Sequence, residues 1–143
     1  MTYNWDFSSV FSNWYLLTIG LKNTIILAVV CLVLGLFFGL FVGAARYSSR
    51  KIFNWPATAF VEVFRNTPVL VQIMWFFFAF PIISPFDINA FTAAALGLTL
   101  NTIAFSSEIY RAGIQSIHKG QWEAGKALGM GYVQQMQRVI LPQ

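Results

Sequence analysis

Charged residues are scarce in this sequence, since Asp, Glu, Lys and Arg make up 10% of its 143 residues, against about a quarter in soluble domains. Cysteine is nearly absent as well: Cys31 stands alone in an apolar run, which excludes an intrachain disulfide and favours a small buried side chain. What remains is 57% hydrophobic and 17% aromatic. Composition therefore indicates a membrane protein.

Residues typical of catalytic and metal sites are also missing. No G-x-x-x-x-G-K-[ST] phosphate-binding loop occurs, and the five carboxylates form no evident acid and base pair. His118 is the lone histidine and has no Cys or His partner at metal-ligand spacing. The sequence predicts no catalytic residue, no metal site and no cofactor.

The first predicted span covers residues 24–45, which carry no charge. As a helix rising about 1.5 Å per residue, this stretch crosses a hydrocarbon core of about 30 Å. Gly35, Gly39 and Gly43 recur every fourth residue, so one face lacks side chains and is predicted to pack closely on another helix.

The second predicted span covers residues 58–82 and contains Glu62 and Arg65, which are three residues apart and can neutralise one another. Pro68 removes a helical hydrogen bond and disfavours helical geometry before it, so a kink is expected from Asn66 to Pro68. Two interpretations remain open for this group. It either anchors a kinked span or forms part of a gate or translocation pathway.

The third predicted span covers residues 91–107, with Asn101 and Glu108 on a face of small residues that should look into the bundle. Asn101 either contacts a substrate or bonds a neighbouring helix. Arg111, three residues after Glu108, repeats the pairing of the second span and marks the inner membrane boundary.

The basic residues predict how these spans are oriented. Those outside the spans lie almost all on one side, which the positive-inside rule assigns to the cytoplasm, and Lys22 alone lies on the other. The chain is therefore expected to be a multi-pass membrane protein, in contact with lipid, with its N-terminus outside. The residues on the inner side are Arg46, Arg50, Lys51, Arg111, Lys119, Lys126 and Arg138.

A polar segment at 112–142 follows the third span and belongs on the cytoplasmic side. Its composition predicts one short helix from Gln121 to Gly131 and a second from about Tyr132. An exposed helix, turn, helix under a membrane bundle is suited to fit a groove in a partner protein.

This segment carries a resemblance to a known family. It fits the pattern E-A-A, three residues, G, nine residues, I, one residue, L-P, with Gly125 in place of Ala and Val139 in place of Ile. Gly125 costs the helix about 1 kcal/mol relative to Ala. The matching residues are Glu123, Ala124, Gly125, Gly129, Val139, Leu141 and Pro142. The pattern resembles the E-A-A loop in the membrane subunits of bacterial ATP-binding-cassette (ABC) importers.

Two further stretches, 62–72 and 108–122, are similar to the polar amino-acid branch of that family. The resemblance implies an all-α permease fold of the type I importer class, with three transmembrane helices and a cytoplasmic coupling helix in a single domain over residues 1–143. Since members of the branch continue into further membrane helices, the sequence is expected to be an N-terminal fragment of a permease.

The resemblance also implies the function and the partners. The chain would translocate polar amino acids, coupled to a cytoplasmic pair of ATP-binding subunits, beside a second permease subunit that is identical or paralogous. An extracytoplasmic amino-acid-binding protein would deliver the substrate. The implied contact with the ATPase consists of Glu123, Ala124, Gly125, Leu128 and Gly129.

Two other classes of protein compete with this interpretation. Two short helices about a glycine turn also describe a DNA-binding module, but Lys126 and Arg138 alone make a weak phosphate footprint, and no nucleic-acid partner is predicted. A secondary transporter or a channel would use the same polar residues in its spans without an ATPase. Dependence of transport on Glu123 and Gly129 distinguishes that class from an importer.

Overall fold

The computed structural model describes residues 7–140 and 142, and these residues are almost entirely helical, with no β-strand among them. The predicted all-α class is confirmed, while the pattern residue Leu141 lies outside the described residues. In chain order the helices are α1 (Ser8–Ser12), α2 (Trp14–Tyr47), α3 (Lys51–Asn66), α4 (Val69–Met74), which passes through a π-helical turn (Trp75–Ala79) into α5 (Phe80–Ile83), α6 (Ala90–Ser116), α7 (Lys119–Ala127) and α8 (Tyr132–Gln135), which continues as a π-helical turn (Met136–Ile140).

Helix α2 contains 34 residues and is about 50 Å long at about 1.5 Å per residue. It begins at Trp14, well before the predicted span at 24–45, so Lys22 lies within the helix. Thr24 lies inside this helix, where its hydroxyl donates to the Gly20 carbonyl at 2.9 Å, one turn earlier. The polar residues that suggested a boundary are thus accommodated inside a longer helix.

The second predicted span is divided at Thr67 and Pro68. Thr67 has extended backbone, with φ −103° and ψ 135°, and α4 begins directly after Pro68. Helix α3 and the segment Val69–Ile83 meet at 102°. The predicted position of the kink is confirmed, but the proline ends one helix and starts another instead of bending a continuous helix from 58 to 82.

Helices α2 and α6 form the most extensive helix interface of the described residues. Gly35 lies against Thr102, and further along Gly43 lies against Ser107. Residue numbers rise together on the two helices, so the helices are parallel and both end at the same side of the bundle. We call this side the loop end, because α7 and α8 follow α6 there.

Small residues make this close approach possible. Gly35, Gly39 and Gly43 are buried, and a Cβ atom at Gly43 would lie 2.9 Å from the carbonyl oxygen of Ser107. Opposite Gly35, the Ser106 hydroxyl donates to the Gly35 carbonyl at 2.9 Å. Backbone contact and polar bonding between helices are the interactions expected where lipid supplies no hydrophobic drive for association.

By length and composition, α2 and α6 are each able to cross a membrane, and α3 together with Val69–Ile83 qualifies when the bent pair is counted as one span. The segment from α3 to α5 packs against α6. Ile73 lies against Gly97, and the Phe64 carbonyl bonds to Asn101. Residue numbers fall on α6 from Asn101 to Gly97 as they rise from Phe64 to Ile73, so the chain passes α6 in the opposite sense, although the bend of 102° gives α3 and Val69–Ile83 different directions.

Candidate functional site

Helix α7 carries the segment that resembles the E-A-A loop, and its first turn is capped by a side chain. Nδ1 of His118 accepts a hydrogen bond from the Gly120 backbone N–H at 3.1 Å. This bond satisfies one of the N–H groups that the first turn of a helix leaves unpaired. His118 therefore helps to define where α7 begins.

Gly129 ends α7 with a positive φ of 74°. The Met130 N–H donates to the Gly125 carbonyl at 3.0 Å, and the Gly129 N–H donates to the Lys126 carbonyl at 2.9 Å. These two bonds constitute a Schellman motif, which favours glycine at the left-handed position. The glycine of the sequence pattern thus has a backbone role, which is to stop α7 and turn the chain into α8.

The predicted ATPase contact residues divide into two groups on α7. Glu123, Ala124, Leu128 and Gly129 are exposed, and Leu128 retains 76% of its accessible surface. Gly125 is buried, and a Cβ atom built there would lie 2.6 Å from Cγ of Gln135. Glu123 and Ala124 of α7, with Leu128 and Gly129 of the turn that follows it, are therefore accessible to a partner protein, while Gly125 faces α8.

Gln135 of α8 packs against α7 and joins the two helices. It is 2% exposed, and its Nε2 donates to the Trp122 carbonyl. The Trp122 and Tyr132 rings stack with centroids 6.1 Å apart and an interplanar angle of 18°. We call α7, the glycine turn and α8 the coupling unit, and these contacts make it one packed body.

The coupling unit lies beneath the end of α2. Partial desolvation raises the pKa of the Tyr132 phenol above its ordinary value although the residue is 59% exposed, and the nearby Tyr47 phenol, at the end of α2, adds to the shift. A cavity of about 420 Å³ separates α7 from the last turns of α2 and α6. Its lining residues are Tyr47, Ile114, Gln115, Ile117, Lys119, Trp122, Glu123 and Lys126.

A cluster of ionic side chains, which we call the Glu108 cluster, joins α2, α3 and α6 near the loop end. The Glu108 carboxylate accepts hydrogen bonds from Arg46 and from Arg111. Arg65 of α3 approaches the same carboxylate, with Nη1 3.4 Å from Oε2. One acidic side chain thus pairs with arginines from three helices.

The predicted pairing of Glu108 with Arg111 is confirmed, whereas the predicted pairing of Glu62 with Arg65 is wrong. Arg65 turns to Glu108 and also lies over the Phe105 ring, 5.5 Å from its centroid. Glu62 instead accepts from the Asn66 amide at 3.0 Å. Shared helical spacing permits a local pair, but Glu108 and Phe105 of α6 offer Arg65 a less exposed position.

Polar side chains satisfy the backbone where the helix breaks. Nε2 of Gln72 donates to the Phe64 carbonyl at 2.8 Å, which Pro68 leaves without its helical partner because it has no N–H. The same Nε2 donates to the Thr67 carbonyl at 3.0 Å, at the point where the backbone is extended. Nδ2 of Asn101 donates to the same Phe64 carbonyl at 3.1 Å. Asn101 therefore makes the interhelical bond that was one of its two predicted roles.

Most of the candidate pathway residues line one cavity at this break. The cavity has a volume of about 440 Å³ and lies between the break and α6. Its lining residues are Arg65, Asn66, Thr67, Pro68, Val69, Asn101 and Phe105. Glu62 and Glu108 do not line it, although Glu108 contacts Arg65 from the side of the loop end.

The geometry above is that of a bent membrane bundle with a capped two-helix unit at one end. Residues 32–143, which include all of the coupling unit, match the family described as "Binding-protein-dependent transport system inner membrane component". The chain belongs to this family. It is therefore an inner membrane protein of a transport system, and the family is one of permease subunits.

Curated relatives of the permease agree with this assignment. It is 39% identical to the arginine transport system permease protein ArtQ of Bacillus subtilis over 98% of this chain and 64% of the relative. It is 41% identical to the glutamine transport system permease protein GlnP of Escherichia coli over 96% of this chain and 63% of the relative. A probable amino-acid ABC transporter permease protein of Bacillus subtilis, YckA, is 40% identical over 87% of this chain and 54% of the relative.

Solved structures share the fold of the permease. An amino acid ABC transporter crystallised with histidines matches with a TM-score of 0.88 and 36% identity, over 99% of this chain and 65% of that one. An inward-facing methionine ABC transporter, MetNI, matches with a TM-score of 0.72 and 26% identity, over 90% and 62%. The chain thus spans about half to two thirds of the length of the permeases that it matches.

Three structural roles in the permease were missed from sequence. Arg46 was counted only as a topology signal, and Gln72 and Gln135 were not singled out. The one available signal for Gln135 was Gly125, which stands where the pattern has Ala. A missing methyl group at that position leaves space for another side chain, but sequence alone does not say which.

Proposed function

We propose that this chain forms the membrane-spanning part of a permease subunit in an ATP-driven importer of polar amino acids. Family membership supports a transport subunit, and relatives named for arginine and for glutamine support the substrate class. Translocation is the role of this subunit, and ATP hydrolysis takes place in a separate cytoplasmic ATPase pair.

The observation that carries this proposal is the exposed surface of α7 and of the turn that follows it. Glu123 and Ala124 are exposed on α7, and Leu128 and Gly129 are exposed in the turn that caps its end. An apolar side chain beside small residues suits insertion into a groove of a partner protein. These four residues make the ATPase contact, and Gly125 supports it from beneath.

The orientation follows from the charges of the parallel helices. Arg46 at the end of α2 and Arg111 near the end of α6 lie at the loop end, as do Lys119 and Lys126 of α7. By the positive-inside rule this end faces the cytoplasm. The N-terminal end of α2 then lies outside, where the amino-acid-binding protein docks.

The translocation pathway runs along the break between α3 and α4. Broken helices at membrane depth are where transporters commonly bind and gate their substrates, and Asn66, Pro68 and Asn101 line the cavity at this break. Arg65 joins that cavity to Glu108, and Glu62 holds Asn66 through its carboxylate. A second permease subunit, identical or paralogous, supplies the opposite wall.

The Glu108 cluster converts movement of the coupling unit into movement of the bundle. Closure of the ATPase pair on ATP displaces α7, and α7 is continuous with α6 through a short turn. Glu108 of α6 is tied to α2 through Arg46 and to α3 through Arg65. Helices α2, α3 and α6 therefore shift together, and the switch between outward and inward openings becomes all-or-none.

The test replaces Leu128, the apolar side chain at the end of α7, in the transporter assembled with its ATPase. We expect Leu128→Ser to abolish copurification of the ATPase and ATP-driven uptake of labelled amino acids into proteoliposomes. Ile82→Ser is the matched control, because Ile82 is 84% exposed and lies on α5, far from the coupling unit. Uptake that persists without the ATPase would instead indicate a secondary transporter or a channel, and the proposal would then be rejected.

A further inference from the structure

Gln135 is the largest fully buried side chain of the described residues, although glutamine is a residue that usually remains in water. It lies within a four-residue helix whose three other residues are exposed. Burial of an amide is unfavourable unless its polar atoms are bonded. The Trp122 carbonyl accepts from Nε2 and supplies part of that compensation.

The space for Gln135 exists only because residue 125 is glycine. A Cβ atom at Gly125 would lie 2.6 Å from Cγ and 2.8 Å from Cδ of Gln135, so alanine at this position would force the Gln135 side chain out of the place that it occupies. Glycine within a helix is less stable than alanine, so its presence in α7 calls for a packing reason. The amide of Gln135 provides that reason.

The two residues also determine the angle between α7 and α8. Gln135 spans from α8 to the backbone of Trp122 in the second turn of α7, and the Trp122 ring then stacks on Tyr132. The Schellman motif at Gly129 fixes the backbone of the turn after α7. It does not by itself fix how α8 packs against α7. The contacts of α8 with Gly125 and Trp122 therefore set the orientation of α7, and of its exposed residues, relative to α8.

We infer that Gln135 is a positioning residue for the coupling unit, and that Gly125 and Gln135 act as a matched pair in place of the alanine of the family pattern. This inference rests on the proposed function, because the face being positioned is the proposed ATPase contact. The inference places Gly125 inside the coupling unit, in contact with α8. It also implies that Ala at position 125 is compatible only with a residue smaller than Gln at position 135.

The test measures the packing of Trp122 and the coupling to ATP in the same assembled transporter. Labelling with 5-fluorotryptophan gives one fluorine NMR signal for each tryptophan, and Trp122→Phe identifies the signal of Trp122. We expect Gln135→Met, which keeps the length of the side chain but lacks the donor, to shift the Trp122 signal alone. The matched control is Gln134→Met, because Gln134 is the adjacent, exposed glutamine.

The reciprocal variants test the pairing itself. Gly125→Ala should shift the Trp122 signal and lower amino-acid uptake per ATP hydrolysed, about fivefold if one hydrogen bond is lost. Adding Gln135→Ala should bring both readouts back towards the unmodified protein, since the new methyl group then fills the vacated space. Unchanged tryptophan signals elsewhere show that the bundle remains folded.

The outcomes separate this inference from the proposed function. The inference is overturned if Gln135→Met is as silent as Gln134→Met, or if Gln135→Ala fails to relieve Gly125→Ala. The latter result is the one expected if Gly125 touches the ATPase directly. Failure of the proposed function shows in a different variant, as retention of the ATPase by Leu128→Ser.

Discussion

Neutralising Glu108 should destabilise the bundle more than any other single loss of charge at the loop end. Glu108→Gln keeps the size of the side chain and removes the one negative charge among three arginines. Arg46 is affected most, because its side chain is 7% exposed and its Nε atom already lacks a partner. After the substitution, a buried guanidinium would face no carboxylate.

The magnitude follows from the exposure of the three arginines. Breaking a buried ion pair by removing one partner costs about 3 to 5 kcal/mol. Arg65 and Arg111 are 35% and 28% exposed, and pairs at that level contribute about 0 to 1 kcal/mol each. Arg111 also keeps its bond to Gln115 at 3.0 Å. We therefore expect a loss of about 3 kcal/mol or more, nearly all of it from Arg46.

Thermal unfolding in mild detergent measures this loss. For a chain of this size, about 3 kcal/mol corresponds to a fall in Tm of about 6 to 12 °C. Glu62→Gln is the matched control, since Glu62 is exposed and bonds only the neighbouring Asn66. Combining Arg46→Met with Glu108→Gln should recover much of the stability, because an apolar pair needs no compensation. Equal Tm values for Glu108→Gln and Glu62→Gln would refute the reasoning.

Two glycine substitutions give further tests, each with a glycine control. Gly43→Ala should lower the free energy of unfolding in detergent by about 1 to 3 kcal/mol, because the new Cβ would meet the Ser107 carbonyl. Gly20→Ala should leave it unchanged, because no atom lies within 4 Å of a Cβ built there. Equal effects of the two substitutions would contradict the packing argument. Gly129→Ala forces a left-handed conformation at about 1 to 2 kcal/mol, so hydrogen-exchange protection of the Met130 amide should fall about tenfold. Gly131, at φ −69°, should accept Ala without loss, and protection that survives Gly129→Ala would speak against the cap.

The sequence predicted those parts of the fold that depend on local spacing. Gly35, Gly39 and Gly43 share a face in any α-helix, so the stripe was visible before its partner helix was known. Pro68 acts on its own helix, so the position of the break was predictable as well. The angle of 102° was not, because it depends on how the two segments pack on α6.

Long-range pairing escaped prediction for a related reason. Spacing assigned Arg65 to Glu62, the acidic residue nearest in sequence, and the structure assigns it to Glu108 on another helix. Arg46 lay at a membrane boundary, where basic residues are common for topological reasons, so its burial could not be read from sequence. Local rules list which pairs are allowed, and tertiary packing selects among them.

The coupling unit shows why a short helix here must be stabilised from outside itself. Helix α7 has nine residues, and isolated helices shorter than about 12 to 15 residues are marginal in water. The cap at Gly129, the bond from Gln135 to Trp122 and the stacked rings supply the missing stability through α8. A load applied at Leu128 is therefore expected to move α7 and α8 together instead of unwinding α7, as the proposed transmission of movement from an ATPase to α6 requires.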